Sequence, residues 1–372
     1  MTEQLGIGVL GLHEGRTLLI ALNHIIPSSV GLPTENKYRA PLAKAVAGCD
    51  LESEKIQRAK MDCPDLFYTS NYEALLAQDD VDIVAIYTPD SLHCEHIAMA
   101  FEAGKDVICT KPIVNSVEDA KRVWEVSQRT NRKLLVGQST RFFESFKRQR
   151  NACEEGEIGE IEFVDAHYIH RMDWFYDKSS WATHDTDWVF LGMSHPIDLI
   201  RWYLGPIDVV HAIGSKSSLA HQYNVESYDI YSVNFVAQNG KIGRAMGNYG
   251  LHELPSARNA IELMLYGSDG TSLAQYHDMR YSHVGSDGIE IKEDMLYHHR
   301  GYYFNNEVHG MHYGEFANYT QYFATALHEK RDYSPNLAEG LETFCIMEAV
   351  RESALTGKPV HVAPLLEKIG IT

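Results

Sequence analysis

Between residues 82 and 112 the chain reads DIVAIYTPDSLHCEHIAMAFEAGKDVICTKP, and the period of its apolar positions changes twice. Ile83 to Tyr87 is a continuous apolar run, the pattern of a strand buried on both faces. Thr88-Pro89 stops it, because Pro89 has no amide hydrogen for a ladder and pushes Thr88 away from helical backbone angles. From about Ser91 to Ala103 the spacing becomes helical, with Ile97 and Phe101 on one stripe and Gly104 placed to close the helix in the left-handed conformation. Val107 to Cys109 resume a strand, and Lys111-Pro112 lies just past its carboxyl end. Both outgoing turns of this βαβ unit open on one edge of the sheet, the edge at which doubly wound sheets bind ligands.

The same alternation runs through the first third of the chain. Residues 5–10 (LGIGVL), 44–49 (KAVAGC) and 133–137 (KLLVG) read as further buried strands, with helical stretches between them. Residues 27–41, polar and proline-rich, read as an inserted loop too long for an ordinary connection. Six strand–helix repeats predict a Rossmann-type domain over residues 1–137. Beyond it the pattern turns to successive strand-like runs: EIEFVDAHYIH, DVVHAIGS, YDIYSVNFVAQ, KIGRAMGNY and NAIELMLYGSDGTSLAQY. Asn239-Gly240 between two of them predicts a type I′ hairpin. Residues 138–372 are thus expected to form an α+β domain on a large, mostly antiparallel open sheet, interrupted by the helix SHPIDLIRWYL and closed by a helix ending at Gly357 and Pro359. That last helix is expected to pack back on the N-terminal domain. The tyrosines and histidines of residues 295–322 read as a loop lining a polar cleft.

Composition narrows the chemistry. A chain of 372 residues calls for two domains, and a formal net charge of −18 argues against nucleic acid and anionic membranes as partners. No run approaches roughly 18 apolar residues, and the N-terminus passes straight into a strand, so a cytoplasmic protein is expected. The six scattered cysteines show no CxxC pair and are expected to be reduced.

The first turn, Gly11-Leu12-His13-Glu14-Gly15, carries two glycines of a dinucleotide fingerprint, with His13 where the second glycine would stand. On their own the same residues read more often as a plain strand-to-helix turn. Asp50, at the end of the second strand, lies where an acid would receive adenosine ribose hydroxyls, although a helix N-cap is an equally common job for it. No arginine follows to hold a 2′-phosphate, so NAD is favoured over NADP. Lys111 alone reads as a solvated turn lysine, and His195 alone as a helix-start histidine. His298, His299, His309 and His312 do not complete a tetrahedral set, and Gly310 and Gly314 oppose a helix that would pair them, so no catalytic metal is expected.

Taken together, Tyr72-Glu73-Ala74-Leu75-Leu76, Val81-Asp82, Thr88-Pro89-Asp90 with His93, Ala103-Gly104-Lys105, Lys111-Pro112 and Ser194-His195-Pro196-Ile197-Asp198 resemble the Gfo/Idh/MocA family of oxidoreductases (glucose-fructose oxidoreductase, inositol dehydrogenase, rhizopine catabolism). The resemblance implies hydride transfer between a secondary alcohol of a sugar or cyclic polyol and NAD. By the same resemblance Lys111 and His195 are catalytic. Gly11, Leu12, His13, Gly15, Asp50, Thr88, Pro89, His93, Lys111 and Gln138 fall on the cofactor side. Asp173, Trp181, Asp185 and Asp187, with His195, are expected at the substrate. Two family acids are missing: Thr110 replaces the glutamate before Lys-Pro, and Leu191 replaces the aspartate four residues before the histidine. Trp174, Trp181 and Trp188 suggest stacking on a pyranose, hence a glycoside oxidised at ring C3. An NAD-dependent glycosidase that uses transient oxidation, or a sugar-sensing regulator without catalysis, would share the scaffold. An apolar outer sheet face and the habit of relatives point to a homo-oligomer, a dimer or tetramer.

Overall fold

The computed structural model describes residues 4–23, 41–252, 260–295 and 314–371. The chain divides into two compact units: Met1–Val114, Glu118–Ser139 and His299–Gly340 in the first, and Asn115–Val117, Thr140–His298 and Leu341–Thr372 in the second. The loop at 27–41 falls outside the described residues, apart from residue 41, as do all four histidines weighed as metal ligands. Among the described residues no three His, Cys, Asp or Glu side chains gather as a metal set, and no helix is long and apolar enough to cross a membrane.

In the first unit β1 (Leu5–Leu10), β2 (Ala43–Cys49), β3 (Phe67–Thr69), β4 (Ile83–Ile86), β5 (Asp106–Thr110) and β6 (Leu134–Gly137) pair in parallel, in the order β3-β2-β1-β4-β5-β6. All four residues of β4 are buried, as the unbroken apolar run requires for a strand covered on both faces. The strand order reverses between β1 and β4, so the turns after these two strands flank the switch point of the sheet.

The loop expected over residues 295–322 is corrected in its last part: Glu315–Glu329 is a helix. Phe316, Thr320, Phe323 and Ala324 repeat at helical spacing and are buried, a stripe hidden in the sequence by the surrounding tyrosines. The helix is clasped to β2 by the amide of Gln321. Its Oε1 accepts from the Leu42 and Ala43 amides at 2.8 and 3.1 Å, and its Nε2 donates to the Ala43 carbonyl at 2.9 Å.

The second unit is built on β7 (Ile161–Ile169), β8 (Ile207–Ser215), β9 (Ile230–Ala237), β10 (Ile242–Asn248), β11 (Ile261–Gly267), β12 (Thr271–Tyr276), β13 (Arg280–Val284), β14 (Glu290–Asp294) and β15 (Val360–His361). They form one sheet in the order β14-β13-β12-β11-β7-β10-β9-β8-β15, antiparallel except for β7 with β10. The β9–β10 hairpin forms where Asn239-Gly240 predicts it, but not as a two-residue I′ turn. Gly240 N–H bonds the Ala237 carbonyl and Ala237 N–H bonds the Lys241 carbonyl, so three residues make the loop and only Gly240, at φ +81°, is left-handed.

The inner sheet face packs on the helix Ser194–Leu204, whose Ile197, Ile200 and Leu204 are buried. Gly243 in β10 permits that approach: a Cβ there would stand 3.0 Å from Leu204 Cδ1 and 3.2 Å from Ile200 Cδ1. All six cysteines are free thiols, five of them buried.

Candidate active site

The first turn is shaped by one glycine and one acid. Gly11 sits at φ +89°, and a Cβ on it would come within 2.6 Å of the Tyr87 carbonyl oxygen, so the close passage of this turn over the end of β4 requires glycine. Asp50 fastens the turn: its Oδ2 accepts from Leu12 N–H at 2.7 Å and its Oδ1 from Glu52 N–H at 2.9 Å. The N-cap of the next helix is Glu52, so Asp50 does not act as that cap. Leu12 is buried, while the His13 ring is half exposed beside Glu14. Gly15 opens the helix Gly15–Asn23, whose first amides offer the N-terminal partial charge that suits a pyrophosphate.

Across the switch point, His93 ties two turns together. Its Nδ1 lies 2.7 Å from the Pro112 carbonyl and its Nε2 2.9 Å from the Thr88 carbonyl. Burial holds this imidazole below its ordinary range, with Lys111 adding to the lowering and Asp90 and the two carbonyls opposing it. Thr88 is braced a second time, its Oγ1 lying 3.0 Å from His96 Nδ1. Pro89 leads into the short turn of helix Asp90–Leu92.

Lys111 follows the last residue of β5, and burial pushes its ammonium down to about 8, against the raising influence of the Asp90 and Glu14 carboxylates. The charge lost with glutamate at position 110 is thus met by two acids from other turns. Thr110 itself donates its hydroxyl to the Ile86 carbonyl at 3.3 Å. Gln138, at the end of β6, is buried, and its Oε1 has no hydrogen-bond partner among the described residues.

These features fit a dinucleotide. The Gly11 cradle and helix amides suit the pyrophosphate, Asp50 suits ribose hydroxyls, and the orphaned amide oxygen of Gln138 could accept from a carboxamide. An acid at position 50, followed by the exposed Leu51, disfavours a 2′-phosphate.

In the second unit His195 is buried in the first turn of Ser194–Leu204, its ring edge-on to Tyr168 at 5.7 Å between centroids. One turn on, Asp198 is fully committed elsewhere. Arg141 Nε and Nη2 each donate to it at 2.7 Å, and Thr343 Oγ1 donates at 3.3 Å. Arg141 and Asp198 are buried, and the guanidinium lies 5.1 Å from the Trp202 ring. This pair fixes the helix that carries His195. Sequence reasoning missed Arg141, because nothing local joins it to a partner 57 residues away.

The residues expected at the substrate separate into groups. Asp173 accepts from Arg171 Nε at 2.6 Å, which draws its carboxyl below the ordinary range. Asp185 and Asp187 line one cavity of the second unit, and His195 is not among that cavity's lining residues. Trp181 meets Phe175 edge-on at 5.8 Å, inside an aromatic cluster. Trp188 is buried and stacked on Tyr249 at 4.5 Å, so it is removed from the set that could stack on a sugar.

Among curated proteins the chain is 31% identical over 160 residues to a 1-carboxy-3-chloro-3,4-dihydroxycyclohexa-1,5-diene dehydrogenase of Comamonas testosteroni, covering 42% of this chain and 40% of that protein. It is 23% identical over 327 residues to levoglucosan dehydrogenase of Pseudarthrobacter phenanthrenivorans, covering 77% of this chain and 81% of that protein. Its fold matches an oxidoreductase from Agrobacterium radiobacter, solved with NAD+, L-tartaric acid and magnesium, at a TM-score of 0.81 and 19% identity, covering 98% of this chain and 100% of that one. The NAD-binding Rossmann-fold domain of the oxidoreductase family matches residues 7–138, and the family's C-terminal alpha/beta domain matches residues 150–362. The chain therefore belongs to the Gfo/Idh/MocA oxidoreductase family and carries its NAD-binding Rossmann domain.

Proposed function

We propose that the protein oxidises a secondary hydroxyl of a sugar, glycoside or cyclic polyol, with NAD as hydride acceptor, and that for a glycoside the position is ring C3. The observation that carries this reading is Lys111, an amine held near pH 8 by burial at the carboxyl edge of the Rossmann sheet, between the turns that suit a dinucleotide. The relatives named for levoglucosan and for a dihydroxylated ring support the substrate class.

NAD supplies the acceptor for the hydride that leaves the carbinol carbon. The chain's own part is the proton. As the C–H electron pair departs and the C–O bond becomes a carbonyl, the hydroxyl proton must leave from oxygen, and neutral Lys111 or the imidazole of His195 takes it. Asp90 and Glu14 stabilise the ammonium form of Lys111, so the proton is held before it passes to solvent.

Two partner readings accompany this. The outer face of the second unit's sheet is proposed as a surface for a second copy of the chain, because Ile213, Val236, Ile242, Met246 and Tyr266 stand exposed on it. The free, mostly buried cysteines suit the reducing cytoplasm.

The test incubates purified protein with NAD and a panel of sugars, glycosides and inositols while following NADH absorbance and released aglycone. NADH without aglycone supports the dehydrogenase. Aglycone without net NADH would replace it with a redox-assisted glycosidase, and neither product would leave a sensor. Unchanged turnover in Lys111→Ala would overturn the assigned site.

A further inference from the structure

Asp187 caps the short helix Trp188–Leu191, and its Oδ1 accepts from Val189 N–H at 2.9 Å and from the Tyr231 hydroxyl at 2.8 Å. Its Oδ2 has no hydrogen-bond partner among the described residues. The residue lines a cavity of about 520 Å³ that lies wholly within the second unit, a size that suits a small ligand.

The walls hold polar groups whose capacity is largely unspent. Arg351 gives Nε and Nη2 to Glu348, at 2.9 and 2.6 Å, and keeps Nη1. Lys216 gives one N–H to the Val225 carbonyl at 2.8 Å. The Glu226 carboxylate and the Tyr228 hydroxyl have no partner among the described residues. Burial raises the Asp187 carboxyl above its ordinary range and Arg351 draws it back down, yet no ion pair joins the two side chains, which line the same space. Tyr228 packs against Gly214 of β8, where a Cβ would come within 2.4 Å of its ring. Phe190 and the exposed Leu355 supply an apolar side.

The charge balance decides the class of occupant. Three carboxylates (Asp185, Asp187 and Glu226) against Lys216, Arg351 and the His184 ring 3.5 Å from Asp185 leave no net attraction for an anion. Among the described residues the acids do not gather into a metal set. Interleaved acceptors and donors beside an apolar wall suit a neutral ring that carries both C–H faces and hydroxyls. Each hydroxyl can donate to a carboxylate and accept from arginine or lysine.

We propose that this cavity is a second carbohydrate or polyol site, with Asp187 and Glu226 receiving hydroxyl protons, Arg351 and Lys216 donating to hydroxyl oxygens, and Tyr228 beside the ring. Neither Lys111 nor His195 lines it, so the inference goes beyond the reaction and does not depend on it.

The test is calorimetric titration of the full-length protein with myo-inositol, D-glucose and maltose, in the wild type and in Glu226→Gln, Tyr228→Phe and Arg351→Gln. A soak of crystals in maltose accompanies it. At least one probe should bind with an affinity that falls about tenfold in Glu226→Gln or Arg351→Gln, the loss of one charge-assisted hydrogen bond. The kcat/KM for NAD reduction should stay within about twofold. Density on Asp187 and Arg351 in the soaked crystal would support the site by a route that does not depend on the variants folding. The proposal is overturned if no probe binds, if binding is indifferent to all three substitutions, or if the soaked cavity is empty. A protein that makes no NADH yet binds a probe in this cavity would refute the reaction and keep the site.

Discussion

Lys111 titrates near 8 because burial disfavours its ammonium form more than Asp90 and Glu14 favour it. The sign for catalysis follows from which form takes a proton. The neutral amine accumulates above the folded-state value, so kcat/KM for NAD reduction should rise with pH through about 8 and then level off. Lys111→Arg, always charged, should lose that limb and about a hundredfold or more of the rate. A pH–rate profile of both proteins checks this, and an unchanged limb in the variant would assign the proton to another group. The sign for stability runs in the same direction. Between about 8 and the ordinary lysine value of 10.5 the unfolded chain holds a proton that the folded chain has released, so stability rises with pH across that window. At pH 7 Lys111 is charged in both states, and its folded form bears the desolvation cost. Lys111→Met should therefore raise the melting temperature while abolishing turnover, read by differential scanning calorimetry.

Two elements carry the residues of the proposed chemistry. In the first turn, Gly11→Ala would place a methyl group 2.6 Å from the Tyr87 carbonyl at φ +89°, costing about 1–3 kcal/mol of strain, and should weaken NADH binding measured by fluorescence titration. In the helix Ser194–Leu204, Asp198→Asn would leave the buried Arg141 guanidinium without its counter-charge. That should cost about 3–5 kcal/mol in urea unfolding, more than Arg141→Met and Asp198→Leu made together. These elements differ in how far they could be read from residue order. The βαβ stretch was legible because its signals are local: an unbroken apolar run, a proline, a helical stripe and Gly104 lie within one supersecondary unit. The first half of the helix Glu315–Glu329 reads as a loop in the sequence because its tyrosines outweigh a stripe that only tertiary burial makes decisive. Strands β13 and β14 carry no clean alternation: β14 is the sheet edge and all of it is exposed or half-buried, and β13 beside it fully buries only Tyr281. Lys111 and His195 stand out only through the family resemblance of the motifs around them, since each alone reads as an ordinary surface or helix-start residue. Arg141 and the acids facing Lys111 become visible only when the chain brings distant turns together, as does the orphaned Oε1 of Gln138, a residue the resemblance already places on the cofactor side.

At the scale of the whole molecule, the proposed self-association sets an apolar sheet face against a net charge of −18. On that face Val236, Ile242, Phe163 and Tyr266 pair across β9, β10, β7 and β11 as one continuous row. In the next rows the charged residues are already matched: Arg244 bonds Asp165, and Glu262 receives His167 at 2.8 Å and Gln275 at 2.6 Å. A partner laid over this face would bury the apolar row and find few unpaired charges to desolvate, which favours association. The acidic surface opposes it, because two copies repel over distances that salt screens to about 8 Å at physiological ionic strength. Association should therefore strengthen as salt rises, the reverse of an interface held by ion pairs across it. Sedimentation velocity in low and high salt reads the sign. Ile242→Glu, at the centre of the row and 50% exposed, should shift the protein to monomer at every salt concentration without lowering its unfolding midpoint. A variant that remains assembled would move the contact to another face, and one that loses stability as well would show that the row is already packed within a single copy.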